Sequence, residues 1–75
     1  MICNYRVVKR KELEGNEMID VYGIHECYYN DCGIESGITV DPVRIDWSES
    51  IDDLDEKLEL MKKALEKPVL NYDDF

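Results

Sequence analysis

The 75-residue sequence predicts an α+β fold: a three-stranded antiparallel β-meander covered on one face by a single C-terminal α-helix (β-β-β-α). Three observations carry that prediction. Residues 3–41 hold short runs rich in β-branched and aromatic side chains, broken by Gly- and Asn-containing turns. One later segment carries an apolar stripe at helical spacing. The length admits a single core and therefore one domain, 1–75.

The first strand is expected over about 3–11, in "CNYRVVKRK". The stretch "ELEGNE" then turns, with Gly15 and Asn16 at its tip. "MIDVYGIHECYY" supplies the second strand over about 18–29, and Gly23 inside it signals close packing or a bulge. "NDCG" makes the next turn, where Gly33 is free to take positive φ. A third strand over about 36–41 ends at Pro42, whose ring removes a ladder donor.

The helix is expected over about 51–66. Ser50 stands in position to cap its first turn, with Asp53 three residues on. Ile51, Leu54, Leu58, Met61 and Leu65 are spaced 3, 4, 3 and 4 apart and form the stripe meant for the sheet. Leu60 falls off that stripe and is expected to be exposed. Acids occupy the first turns and lysines the last, as the helix dipole favours, and Pro68 stops the helix. An acidic tail, 71–75, follows.

Composition narrows the function. Eighteen acids against nine bases give a net charge of −9, which opposes direct binding to nucleic acid. No run approaches the ~20 apolar residues that span a bilayer, and the N-terminal "MICNYRVVKRK" lacks the pattern of a signal peptide. Three cysteines, an odd number, argue against a closed disulfide framework, so a cytoplasmic protein with reduced thiols is expected. A chain this short has few residues with which to wall a cleft, which favours a binding module over an enzyme. No catalytic residue and no cofactor are assigned.

One cluster invites a sharper chemistry. Cys3, His25, Cys27 and Cys32 have the residue types of a Cys3His zinc site, but the four residues between Cys27 and Cys32, the longest spacing of a Cys-x2-4-Cys knuckle, include tyrosine and asparagine positions of a hairpin. The expectation is instead that Cys27 is a small buried apolar residue, Cys32 a turn residue, and His25 a structural histidine hydrogen-bonded to a helix carboxylate. The metal quartet stays as an alternative.

Three segments taken together, "NYRVVKR", "YGIHECYYND" and "LELMKKALEKPVL", resemble a group of short, stand-alone bacterial proteins of uncharacterised activity. That pattern has N-Y-R-V, an I-H-E-V-Y-Y-D-x-x-G hairpin, a D/N-P-V and a helix ending A-L-x-K-P-V-L. Matching positions are Tyr5, Arg6, His25, Glu26, Tyr28, Tyr29, Gly33, Pro42, Ser50, Leu58, Met61, Leu65 and Pro68. Cys27 stands where the group has valine and Cys32 where it has a turn residue such as Asn. The resemblance implies that neither thiol is required, and it supplies no activity.

What remains is surface. Eight acids between Asp41 and Glu59 face only Arg44 and Lys57, a local net of −6. Asp52, Asp55, Glu56 and Glu59 lie opposite the apolar stripe on a helical wheel and form one acidic face, with Asp46 and Glu49 just before it. Trp47 beside them is a candidate interface anchor. Tyr28 and Tyr29 point to opposite faces of their strand, so one is expected to meet a partner on the open sheet face. The expected function is a non-catalytic acidic protein-binding module, a stoichiometric inhibitor that occupies a basic, nucleic-acid-binding surface of its partner, as small phage-type anti-defence inhibitors do. The alternatives are a small homodimeric accessory protein pairing through the open sheet face, and the Cys/His metal module.

Overall fold

The fold was obtained as a computed structural model and is described for residues 2–75. Its class is α+β, with one helix and a four-stranded mixed sheet in the order β3-β2-β1-β4. The strands are β1 (Ile2–Glu14), β2 (Glu17–Tyr29), β3 (Glu35–Ile38) and β4 (Leu70–Asn71), and the helix α1 spans Ile51–Lys63. β1, β2 and β3 form the expected antiparallel meander. The fourth strand corrects the sequence reading. β4 pairs in parallel with Val8 and Lys9 of β1, placing a further segment on the far edge. The chain leaves β3, crosses the sheet through α1 and returns on the opposite edge, as a parallel neighbour requires.

β1 and β2 run longer than periodicity alone suggests because their turn is minimal. Glu14 pairs with Glu17, leaving only Gly15 and Asn16 as the loop. Gly15 takes φ +61°, a value that glycine accepts without a Cβ penalty. Beyond the turn, Lys11 and Asp20 face each other across the ladder and pair at 2.7 Å. The second turn is built by Asn30, whose side-chain oxygen accepts from the backbone of Cys32 and Ile34, and Gly33 there takes φ +76°.

The register divides the sheet's side chains between two faces. Cys3, Tyr5 and Val7 share one face with Tyr28, Glu26 and Ile24; Asn4, Arg6 and Val8 share the other with Cys27, His25 and Gly23. α1 lies on the first face, where Leu60 and Lys63 border the same groove as Cys3, Tyr5 and Glu26. The second face was expected to be open, and it is not. Residues 39–43 and the C-terminal segment fold over it, burying Arg6, Val8, His25 and Cys27. Pro42 sits directly over Gly23, where a Cβ would come within 3.2 Å of it, so the glycine is needed for close approach. The segment expected to be an acidic tail forms β4 and a 3-10 turn, Tyr72–Asp74, and packs against the sheet.

Ser50 caps α1 as its position suggests, accepting from the Asp53 backbone at 3.0 Å. After Lys63 the chain tightens into a 3-10 turn, Ala64–Glu66. The apolar stripe is only half used. Met61 and Ala64 are buried and Leu54 half-buried, whereas Ile51, Leu58 and Leu65 stay exposed.

The resulting core is small, with Val7, Val8, Cys27, Met61 and Ala64 as its buried apolar side chains. The shape is correspondingly open. The radius of gyration is 14.0 Å, against about 11 Å expected for a compact chain of this length. The accessible surface is 6062 Å2, where a compact monomer of 8.8 kDa exposes about 4,800 Å2.

Candidate protein-binding surface

The loop between β3 and α1 and the first turns of the helix create the most exposed chemistry of the molecule. Trp47 is fully exposed, although an indole is among the side chains with most to gain from burial. It stands between two open grooves. One, of about 670 Å3, is lined by Ile45, Trp47, Ile51 and Leu54 and is largely apolar. The other, of about 460 Å3, is lined by Trp47, Glu49, Asp53, Glu56, Lys57 and Leu60. Ser48 lines both, and its hydroxyl is buried without a hydrogen-bond partner.

Asp46, Glu49, Asp52, Asp55, Glu56 and Glu59 are all exposed. On α1 the acids lie opposite the buried Met61 and Ala64, so they form one solvated face whose N-terminal edge adjoins Trp47. The arrangement offers an aromatic anchor, an apolar slot and a rim of carboxylates.

The two tyrosines separate. Tyr28 lies on the helix-side face, half-buried, and donates to Glu26 at 3.2 Å, a contact that raises its phenol pKa. Tyr29 lies on the other face and is fully engaged within the chain. Its hydroxyl donates to Asn4 Oδ1 at 2.9 Å and accepts from Arg6 at 2.8 Å. Tyr29 is thus bonded within the chain on the covered face, while remaining half-buried.

Arg6, to which the sequence alone assigns no site role, is the hub of the buried polar network. It is 5% exposed and donates to Tyr29, to Glu35 at 3.1 Å and to the Pro68 carbonyl at 2.7 Å. Burial pulls its pKa down, but the bonds to Tyr29 and Glu35 outweigh that and raise it overall. The sequence signal was an arginine in the middle of an apolar strand, which must be paired if buried.

The Cys/His quartet does not converge. Cys3 is exposed on the helix-side face, Cys27 is sealed on the other, and Cys32 is exposed in the turn. Among the described residues, no three His, Cys, Asp or Glu side chains are grouped to hold a metal ion. His25 shares a face with Cys27, but its Nδ1 is 2.9 Å from the Thr39 carbonyl and its ring meets Tyr72 edge-on at 6.0 Å. A loop carbonyl thus replaces the expected helix carboxylate, because α1 lies on the opposite side of the sheet. Burial pushes the Cys27 thiol up.

No helix is long and apolar enough to cross a membrane. Comparison with protein-family models, with curated proteins and with solved structures finds no match to this chain.

Proposed function

We propose that the chain is a non-catalytic protein-binding module that presents Trp47 and the acidic face of α1 to a partner with a basic surface. The observation that carries this reading is Trp47, fully exposed between two grooves and bordered by Glu49, Asp53 and Glu56. Tryptophan is the residue type most enriched among interface hot spots, and a carboxylate rim gives on-rate and orientation against cationic side chains. With a net charge of −9, such a surface resembles a phosphate backbone in sign, which suits an inhibitor that occupies a nucleic-acid-binding groove stoichiometrically. Of the residues that could carry thiol or imidazole chemistry, Cys27 is shut away from solvent and His25 Nδ1 lies 2.9 Å from the Thr39 carbonyl.

The test is capture of partners by immobilised protein across a salt series, followed by association kinetics with the partner recovered. Replacing Asp52, Glu56 and Glu59 with Asn or Gln should slow association markedly and flatten the salt dependence, with little change in dissociation. Association of the neutralised variant at the wild-type rate removes the acidic face from the function.

A further inference from the structure

We propose that two copies of this chain pair through α1, antiparallel, about a two-fold axis passing at Leu58. Ile51 and Leu58 are seven residues apart on α1, a spacing that keeps them within roughly 20° on one side of the helix, and Leu65 follows seven further on in the 3-10 turn that continues it. They are 85%, 42% and 69% exposed, while Met61 on the adjacent row is buried against the sheet. The helix therefore carries two apolar rows, one used within the chain and one facing water.

The unused row is self-complementary. Ile51 and Leu65 are equidistant from Leu58, so a two-fold axis there sets Ile51 against the partner's Leu65 and Leu58 against the partner's Leu58, as an isologous interface requires. The flanking charges obey the same symmetry. Asp55 precedes Leu58 by three residues and Lys62 follows it by four, and both border the row. In the antiparallel pair Asp55 stands opposite the partner's Lys62 within one residue, a rise of about 1.5 Å, and the contact occurs twice. Among the described residues neither is engaged in a salt bridge within the chain.

The amount of exposed surface fits the same conclusion. The chain exposes 6062 Å2, roughly 1,300 Å2 more than a compact monomer of its mass, and a standard interface buries about 800 Å2 per partner. Both sheet faces are already covered over their centres, one by α1 and the other by residues 39–43 and the C-terminal segment. Asp52, Glu56 and Glu59 stay in solvent, turned away from the paired row, whereas the dimer draws Asp55 from the acidic face and Ile51 from the groove beside Trp47.

Sedimentation equilibrium of the full chain at micromolar concentration should return twice 8.8 kDa. Leu58→Asp should return the monomer mass with helical circular dichroism retained. Asp55→Lys, which opposes like charges at both ends, should weaken dimerisation roughly tenfold or more, and adding Lys62→Asp should restore it. This charge pair keeps the proposal testable if Leu58→Asp fails to fold. A monomeric wild type overturns the proposal. So does a dimer indifferent to these substitutions, or a double variant no tighter than Asp55→Lys alone.

Discussion

The Arg6 guanidinium donates to the Pro68 carbonyl at 2.7 Å, joining residues 62 positions apart near the two ends of the chain. Through the same group β1 is tied to Tyr29 of β2 and to Glu35 of β3. One side chain thus fixes the sheet's outer strand and the segment leading into β4. In a domain with so few buried apolar residues, this network carries an unusual share of specificity.

Arg6→Met should therefore destabilise the protein by about 2–4 kcal/mol, because it removes three donated bonds and leaves partly buried acceptors unpaired. Arg6→Lys should lie between, since an ammonium cannot reproduce the planar fork. Urea denaturation followed by circular dichroism measures both. Equal stability of Arg6→Met and wild type would show that the network contributes nothing.

Acid should loosen the same contact. The Glu35 carboxyl is held below its ordinary value, by its own backbone N–H first and by Arg6 next. A depressed carboxyl contributes stability that is present above the ordinary value of 4.5 and is lost as pH falls through the folded one. Glu35→Gln should lower stability at neutral pH and narrow its gap to wild type below about pH 4. Stability curves across pH for the two proteins check this; a constant gap down to low pH refutes it.

Thiol accessibility gives a direct check on the faces of the sheet. Cys3 and Cys32 are exposed and Cys27 is fully buried with its thiol pushed up. An aromatic disulfide reagent should release two equivalents of thiolate quickly and the third only on unfolding. Replacing Cys3, Cys27 and Cys32 by Ser, Val and Asn should preserve the fold to within about 1 kcal/mol, since Val suits the buried site in size and polarity. Stoichiometric zinc in the purified wild type, with unfolding by chelator, would contradict this.

Within the helix the cost of truncation should follow burial rather than the stripe. Met61→Ala should cost about 2–4 kcal/mol. Leu58→Ala and Leu60→Ala, 42% and 46% exposed, should each cost under about 1 kcal/mol under conditions where the chain is monomeric. Comparable losses at Met61 and Leu58 in a monomer would mean that both rows of the helix pack on the sheet.

These elements show how far the sequence could be read. The meander, the Ser50 cap and the Pro68 stop were legible because each rests on local chemistry that periodicity or side-chain type reveals. β4 was not, since a two-residue parallel pairing has no period and depends on where the crossover delivers the chain. The division of the helical stripe was equally hidden. Spacing fixes which residues share a side of α1, but only tertiary packing decides that Met61 meets the sheet and Leu58 does not. Arg6 illustrates the converse: its type and strand position implied a partner, while the identity of that partner, a carbonyl 62 residues away, lay outside any local pattern.

Trp47 provides the most direct functional prediction. Its side chain is fully exposed, so Trp47→Ala should leave stability within about 0.5 kcal/mol of wild type. A buried tryptophan would cost several times more. As the sole tryptophan, it also reports on itself: emission should be that of a solvated indole in the free protein and shift to the blue when a partner covers it. The groove lined by Ile45, Ile51 and Leu54 supplies the neighbouring apolar surface against which a partner side chain can close. Trp47→Ala should then weaken binding by about 2 kcal/mol or more, chiefly through faster dissociation, in contrast to the on-rate loss from neutralised carboxylates. Wild-type affinity of Trp47→Ala, together with an emission maximum unmoved by saturating partner, would place the binding surface elsewhere on the molecule.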